Sequence, residues 1–226
     1  MDPTFIILGV ILVVLLYILY VYIRTDKEML QEYVHLENNL EPITELEKPE
    51  TARYAYGFWI YVNTWDASSK KSIIKILNNL EVFLDQSTAS LMVGIDTGEG
   101  NISNIQVSNN FPLQKWAHVI VSVDNEYIDT YLDGKLVRSS RIYIPGSDGT
   151  AAVKPLIPTE GASLEFGKGD IYLSKLKRYT YPINPQKAYD EYMAGNGQSG
   201  FAGVPVYGLD LKVLKDNELY KEINVF

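Results

Sequence analysis

Nineteen consecutive residues without a charge or a proline, Phe5 to Ile23 (FIILGVILVVLLYILYVYI), leave this chain few ways to begin. At about 1.5 Å per residue the run makes a helix of roughly 28 Å, close to the hydrocarbon thickness of a bilayer. Gly9 is its one weak helix former. Tyr17, Tyr20 and Tyr22 gather towards its C-terminal end, where aromatic rings sit at headgroup level, and Arg24 and Lys27 follow. A cleaved signal peptide would open on Lys or Arg and end on a small-x-small site; Met1-Asp2-Pro3-Thr4 has no such charge and no such site follows. A buried core helix rarely stays apolar on every face over this length. The expectation is a single transmembrane anchor in residues 1–23, spanning 5–23, with Phe5, Leu12, Tyr17, Tyr20, Tyr22 and Ile23 in or at the lipid and Arg24 at the interface. Basic residues lie only on its C-terminal side, so the positive-inside rule puts the remaining domain in the cytosol. The opposite orientation would make the sequon Asn101-Ile102-Ser103 a glycan acceptor.

Residues 24–50 are acidic, with Asp26, Glu28, Glu32, Glu37, Glu41, Glu45, Glu47 and Glu50. Met29, Tyr33, Leu36 and Leu40 fall at i, i+4, i+7 and i+11, one stripe of a helix. A membrane-proximal helical stalk is expected, ended by Pro42 and Pro49.

From Thr51 the period changes to two. Tyr54, Tyr56, Phe58, Ile60 and Val62 alternate with Ala55, Gly57, Trp59 and Tyr61. Short strands are expected at 72–77, 81–84, 90–95, 102–107, 116–123, 127–132, 135–137, 163–166 and 170–179, separated by Asn, Asp, Gly and Ser. Asp133-Gly134 is the preferred pair for a tight type I′ hairpin. Asn184, Pro185 and Gly195 mark the cap, first turn and end of a short helix. Strands at 207–214 and 219–225 would form a closing hairpin. Seventeen tyrosines against 7 Phe and 3 Trp suit half-buried strands. The fold class expected is mainly β, an antiparallel jelly-roll sandwich over residues 51–196, completed by a hairpin in 197–226 and preceded by the anchor and stalk.

Composition removes several functions. Without cysteine there is no disulfide framework and no thiolate metal site. A net charge of −8 argues against nucleic acid as a partner. His35 and His118 are the only histidines, too far apart in sequence to suggest a catalytic triad or zinc site. His118 reads as a packed structural residue.

The segments YGFWIYVN (56–63), WAHVIVSVDNEYIDTYLDGKLV (116–137) and GDIYLSKLKRYTYPINPQKAYDEYMAGN (169–196) together resemble the laminin-G-like, concanavalin A-like jelly-roll superfamily. The middle segment matches that family's W-x-H-V…D-G hairpin. Joined to an N-terminal anchor and lacking cysteine, the arrangement is also similar to virion membrane and minor capsid proteins of large DNA viruses of algae and protists. This resemblance implies a non-enzymatic structural virion protein whose partners are the bilayer and other capsid or membrane proteins. The alternative it implies is a membrane-displayed carbohydrate-binding adhesin with a glycan partner. Hydrolases of the same fold carry E-x-D-x-E on one strand, which sets two carboxylates on one face for acid/base work. The chain has no such pattern, so no catalytic residue and no cofactor is expected. The superfamily's rim calcium makes Asp96, Glu99, Asn101 and Asn104 a candidate oxygen-rich loop, with an ordinary polar hairpin as the competing explanation. Tyr143 and Tyr181 are candidates for stacking on a sugar, against the commoner role of cross-strand packing.

Overall fold

The computed structural model describes the backbone of residues 3–24, 27–145, 148, 151–159, 161–197, 210–215 and 218–224, and side chains within 8–19, 27–145, 148, 151–159 and 161–197. Helix α1 covers Pro3–Arg24. The expected strands then appear with ends shifted by a few residues at most. They are β2 (Arg53–Val62), β3 (Lys71–Ile76), β4 (Leu80–Leu84), β5 (Leu91–Asp96), β6 (Ile102–Ser108), β7 (Trp116–Asp124), β8 (Tyr127–Leu132), β9 (Lys135–Arg141), β10 (Leu164–Phe166) and β11 (Ile171–Tyr179). They follow a strand the sequence did not suggest, β1 (Met29–His35). Helix α2 (Pro185–Met193) and the pair β12 (Asp210–Lys215) and β13 (Glu218–Asn224) complete the series.

Two antiparallel sheets make the sandwich. One runs β1-β11-β2-β7-β8-β9, the other β10-β3-β4-β5-β6. Alternation along the strands supplies the core between them. Phe58, Ile60 and Val62 of β2 and Val119, Val121 and Val123 of β7 point inward and meet Ile74, Val82, Leu84 and Val93 from the facing sheet, all fully buried. Asp133 and Gly134 both have positive φ, 49° and 73°, as a type I′ turn requires.

Two expectations need correction. The segment expected to be a helical stalk pairs with the sandwich: β1 runs antiparallel to β11, with Tyr33 opposite Ser174 and His35 opposite Tyr172. Val34 and Leu36 enter the core between the outward-facing Tyr33, His35 and Glu37. Strand alternation therefore divides the supposed helical stripe. Further along, Ile43 exchanges backbone hydrogen bonds with Leu164 at 2.9 Å each way, and Leu46 is buried. The second correction concerns the C-terminal hairpin. β12 and β13 pair with each other as a separate two-stranded sheet and add no strand to the sandwich.

Among the described residues no helix is long and apolar enough to cross a membrane. In α1 the described side chains are those of residues 8–19, about 18 Å of helix. Leu12 and Tyr17 of the expected anchor lie among them and are 58% and 66% exposed. The side chains of Phe5, Tyr20, Tyr22, Ile23 and Arg24 lie outside the described residues.

Helix α2 packs over part of the outer face of the six-stranded sheet. Asn184 caps it, its Oδ1 accepting from the Lys187 N–H at 2.8 Å, with Pro185 at the first position. A bulge in β11 between Ser174 and Lys177 turns Lys175 towards the helix's other end. There its Nζ donates to the carbonyls of Ala194 and Gly195 at 3.0 and 2.7 Å, a cation at a helix C-terminus. Beneath α2, Ala55, Ile120, Tyr131, Tyr179, Ile183 and Ala188 form a second, smaller core.

Candidate functional site

On the outer face of the six-stranded sheet, four strands each contribute one aromatic or imidazole ring at the same level. His35 of β1 is opposite Tyr172 of β11, Tyr172 is opposite Tyr61 of β2, and Tyr61 is opposite Trp116 of β7. The result is an unbroken cross-strand row. His35 lies flat on Tyr172, centroids 4.1 Å apart and planes 6° apart. Tyr172 meets Tyr61 edge-on at 6.2 Å, Tyr61 tilts against Trp116 at 5.6 Å, and Tyr33 stacks on Tyr172 from two residues along β1 at 6.1 Å.

One level further, the sheet offers Ser174, Trp59 and His118 in the same register. That level is covered: Tyr192 of α2 stacks on Trp59 at 5.5 Å, and both Trp59 and His118 are buried. Helix α2 stops short of the next level, so Tyr33, Tyr61, Trp116 and Tyr172 line an open, shallow depression of about 260 Å³. Tyr33 is exposed, and Tyr61, Trp116 and Tyr172 are half-buried. Cross-strand aromatic pairs stabilise a sheet by about 0.5–1.5 kcal/mol each, which accounts for one or two of them. Four rings fixed in a continuous open surface also present an apolar platform of the kind that marks a binding face.

Polar groups border the row at the β1/β11 end. Asp170 precedes β11, and its Oδ2 accepts from Asn63 Nδ2 at 2.6 Å and from Thr64 Oγ1 at 3.2 Å. Its Oδ1 lies 3.3 Å from His35 Nε2, and Glu37 Oε2 is 3.7 Å from the same nitrogen. The Asn63 N–H donates to the Asp170 carbonyl at 3.0 Å, so the acid's backbone is held as well.

A larger groove of about 360 Å³ lies elsewhere, lined by Arg53, Asp124, Asp129, Tyr131 and Asn184 among others. Its groups are largely engaged. Arg53 pairs with Asp124 at 3.0 Å, Asn184 caps α2, and the buried Tyr131 hydroxyl donates to the Ile183 carbonyl at 3.3 Å.

The calcium candidates fall in the β5–β6 hairpin, away from the aromatic row. Asp96 Oδ1 accepts from the Gly98 N–H at 2.8 Å, and the Asn101 carbonyl accepts from both the N–H and hydroxyl of Thr97. Glu99 and Asn104 are exposed. Two of the oxygens a cation would need are thus used in the turn itself. Tyr143 and Tyr181 are not part of the row either: the Arg141 guanidinium lies 6.0 Å over the Tyr143 ring, and Tyr181 packs edge-on to Tyr179 and donates to Glu28 Oε1. His118 is buried as a packed structural residue. Sequence reasoning missed the row because its members lie on separate strands. A usable signal was present: Tyr61 is next to last in β2, Trp116 is first in β7 and Tyr172 is second in β11, positions that antiparallel neighbours bring side by side.

No curated protein sequence matches the chain. The binding domain of botulinum neurotoxin DC in complex with SialylT superposes with a TM-score of 0.51 at 15% identity, covering 65% of this chain and 37% of the toxin domain. A botulinum neurotoxin type C structure concerned with interaction with two ganglioside molecules gives 0.50 at 14% identity, with 65% and 37% covered. The chain thus spans little more than a third of these structures, and at such identities the likeness is one of fold. The family model described as "Concanavalin A-like lectin/glucanases superfamily" matches residues 32–171. That match starts within β1 and ends within β11, the two strands whose pairing closes one side of the sandwich, and it places the chain in the concanavalin A-like lectin/glucanases superfamily.

Proposed function

We propose that the protein is a non-enzymatic carbohydrate-binding module, tethered to a membrane by α1, whose binding face is the row Tyr33, Tyr172, Tyr61 and Trp116. The single observation that carries this reading is the register: β11, β2 and β7 deliver Tyr172, Tyr61 and Trp116 to one level, with Tyr33 of β1 stacked on Tyr172 from the next, and the four line one open depression. The C–H face of a pyranose is apolar and slightly positive, and it settles on the negative face of an aromatic ring. Its hydroxyls then need donors and acceptors at the rim, which Asp170, Asn63 and Thr64 supply. The botulinum relatives, as domains described with a sugar or with gangliosides, lend the fold a precedent. In favour of binding without catalysis, Asp170 is already engaged by Asn63, Thr64 and His35, and the acid pattern of the fold's hydrolases is missing from the sequence.

The tether is supported by α1 itself. Leu8, Val10, Ile11, Leu12, Val13 and Val14 are all about half exposed or more, on every side of the helix. Burying such surface is favourable by about 25 cal/mol per Å², and lipid is the solvent that accepts it without a partner. The virion-scaffold alternative, with capsid proteins as partners, has no comparable observation behind it.

A glycan array with the detergent-solubilised full chain tests the reading. Selective binding is expected, and Trp116→Ala or Tyr172→Ala should weaken it by about 2 kcal/mol, tenfold or more; Trp116, half-exposed with one ring partner, should lose little thermal stability, whereas Tyr172, with three, should lose more. A flat array, or binding untouched by both substitutions, would remove the proposed face. Separately, the full chain should float with liposomes, and a chain starting at Lys27 should not.

A further inference from the structure

We infer that His35, Asp170 and Glu37 form a binding site for a divalent transition-metal ion of the zinc type, set at the end of the aromatic row. The site shares Asp170 with the rim of the proposed glycan face, but ion binding by these three side chains does not require the row to bind a glycan.

The distances carry the inference. A tetrahedral ion with bonds of about 2.0–2.1 Å holds its ligand atoms roughly 3.3 Å from one another, and cis ligands of an octahedral ion lie roughly 3.0 Å apart. His35 Nε2 is 3.3 Å from Asp170 Oδ1 and 3.7 Å from Glu37 Oε2, and the three ligand atoms all lie within 4.8 Å of one another. A direct charge-assisted bond between imidazolium and carboxylate would instead close to about 2.7–2.9 Å. The 3.3 Å contact is long for such a bond and matches two ligands of one ion, while Glu37 has to turn inward to complete the set. Glu37 is the most exposed of the three, with 64% of its side chain accessible, so a small rotation brings it in.

The surroundings fit. A metal-bound carboxylate is usually oriented by hydrogen bonds to its other oxygen. Asp170 Oδ2 has two, from Asn63 and Thr64. The imidazole is oriented by lying flat on Tyr172. His35 and Glu37 flank the fully buried Leu36, whose N–H donates to the Ile171 carbonyl at 2.9 Å. His35 at the end of β1 and Glu37 in the turn after it thereby both lie beside Asp170, the residue before Ile171. One nitrogen and two carboxylate oxygens suit zinc-type ions, whereas calcium prefers six to eight oxygens. Three protein ligands leave at least one position for water or a ligand hydroxyl.

Isothermal titration of the full chain with Zn²⁺ alone, in detergent at pH 7, tests this. One saturable site of micromolar affinity is expected, with Ca²⁺ much weaker. His35→Ala and Asp170→Asn should abolish it and the exposed Glu37→Gln should weaken it 10–100-fold. Trp116→Ala should keep zinc uptake even if glycan binding is lost, which separates this site from the proposed binding face. His118 is the only other histidine and is buried, so it offers no substitute. Zinc uptake unchanged in both His35→Ala and Glu37→Gln, or no saturation up to about 1 mM, overturns the proposal.

Discussion

A chain starting at Thr51 is expected not to fold, whereas one starting at Lys27 is expected to melt cooperatively. The first cut removes the whole of β1, and with it Val34, Leu36 and Leu46, which are 7%, 0% and 8% exposed. Each contributes about 1.5–3 kcal/mol by its burial, roughly 5–9 kcal/mol together. A domain's entire stability is about 5–15 kcal/mol. The cut also takes two acceptors, the carbonyls of Glu47 and Lys48, from the buried Arg178 guanidinium and leaves it only the Tyr56 hydroxyl on Nε. Leaving a buried cation with part of its donors unpaired adds a further cost of about 1–3 kcal/mol. Single substitutions separate strand from helical stalk with finer resolution. Leu36→Ala should cost about 2–5 kcal/mol, while Tyr33→Ala, on the outer face, should cost under 1 kcal/mol. A helix presenting both on one stripe would make the two losses similar. Chemical denaturation of the Lys27 fragment and its variants measures this; a Thr51 fragment with a sharp transition near that of the longer chain would show that β1 is dispensable.

The same stretch shows why the sequence was legible in one place and misleading in another. From β2 to β11 the strands are long enough for alternation to repeat, and turn residues such as Asp133-Gly134 end them. α2 announces itself through Asn184 and Pro185, whose roles are purely local. β1 is seven residues, and in and just beyond MLQEYVH the helical spacing of Met29, Tyr33, Leu36 and Leu40 fits as well as the alternation of Val34 and Leu36. Acidic neighbours then tipped the balance towards a solvated helix. What made it a strand was the free edge of β11, a fact of tertiary pairing. The C-terminal hairpin shows the converse: local alternation points to both strands, but which sheet they join is a matter of tertiary pairing that no local pattern encodes. The aromatic row depends on register between strands distant in sequence, and His35 and Asp170 are 135 residues apart. Single-strand patterns hold no information about such encounters.

Lowering the pH from 7 to 4.5 is expected to destabilise the sandwich by roughly 2–3 kcal/mol through His118 alone. Burial pushes this imidazole down to about 4, Lys177 and Lys175 add to the effect, and Glu191 partly opposes it. The ring lies between Trp59, at 5.0 Å, and Tyr192 of α2, at 6.3 Å, and its Nδ1 has no hydrogen-bond partner that could stabilise a cation. In the unfolded chain the same group titrates near 6.5. Between about 6.5 and 4 the unfolded state therefore takes up a proton that the folded state refuses. The stabilisation is complete above 6.5 and is lost as the pH falls towards 4. Glu191 behaves differently: burial raises it, but the Lys187 and Lys177 ammonium groups, 2.7 and 2.9 Å away, outweigh burial and hold it at about 2. Its contribution is lost only below its ordinary value of 4.5, so it leaves the upper window to His118. Replacing His118 with Gln should lower stability at pH 7 yet flatten the slope between 6.5 and 4.5, by an amount matching the loss in the parent chain. Denaturant unfolding of both proteins at half-unit pH steps reads this directly. Parallel curves for the two would mean that protonated His118 is tolerated beneath α2, and that the layer formed by Trp59, His118 and Tyr192 opens to water more readily than its packing implies.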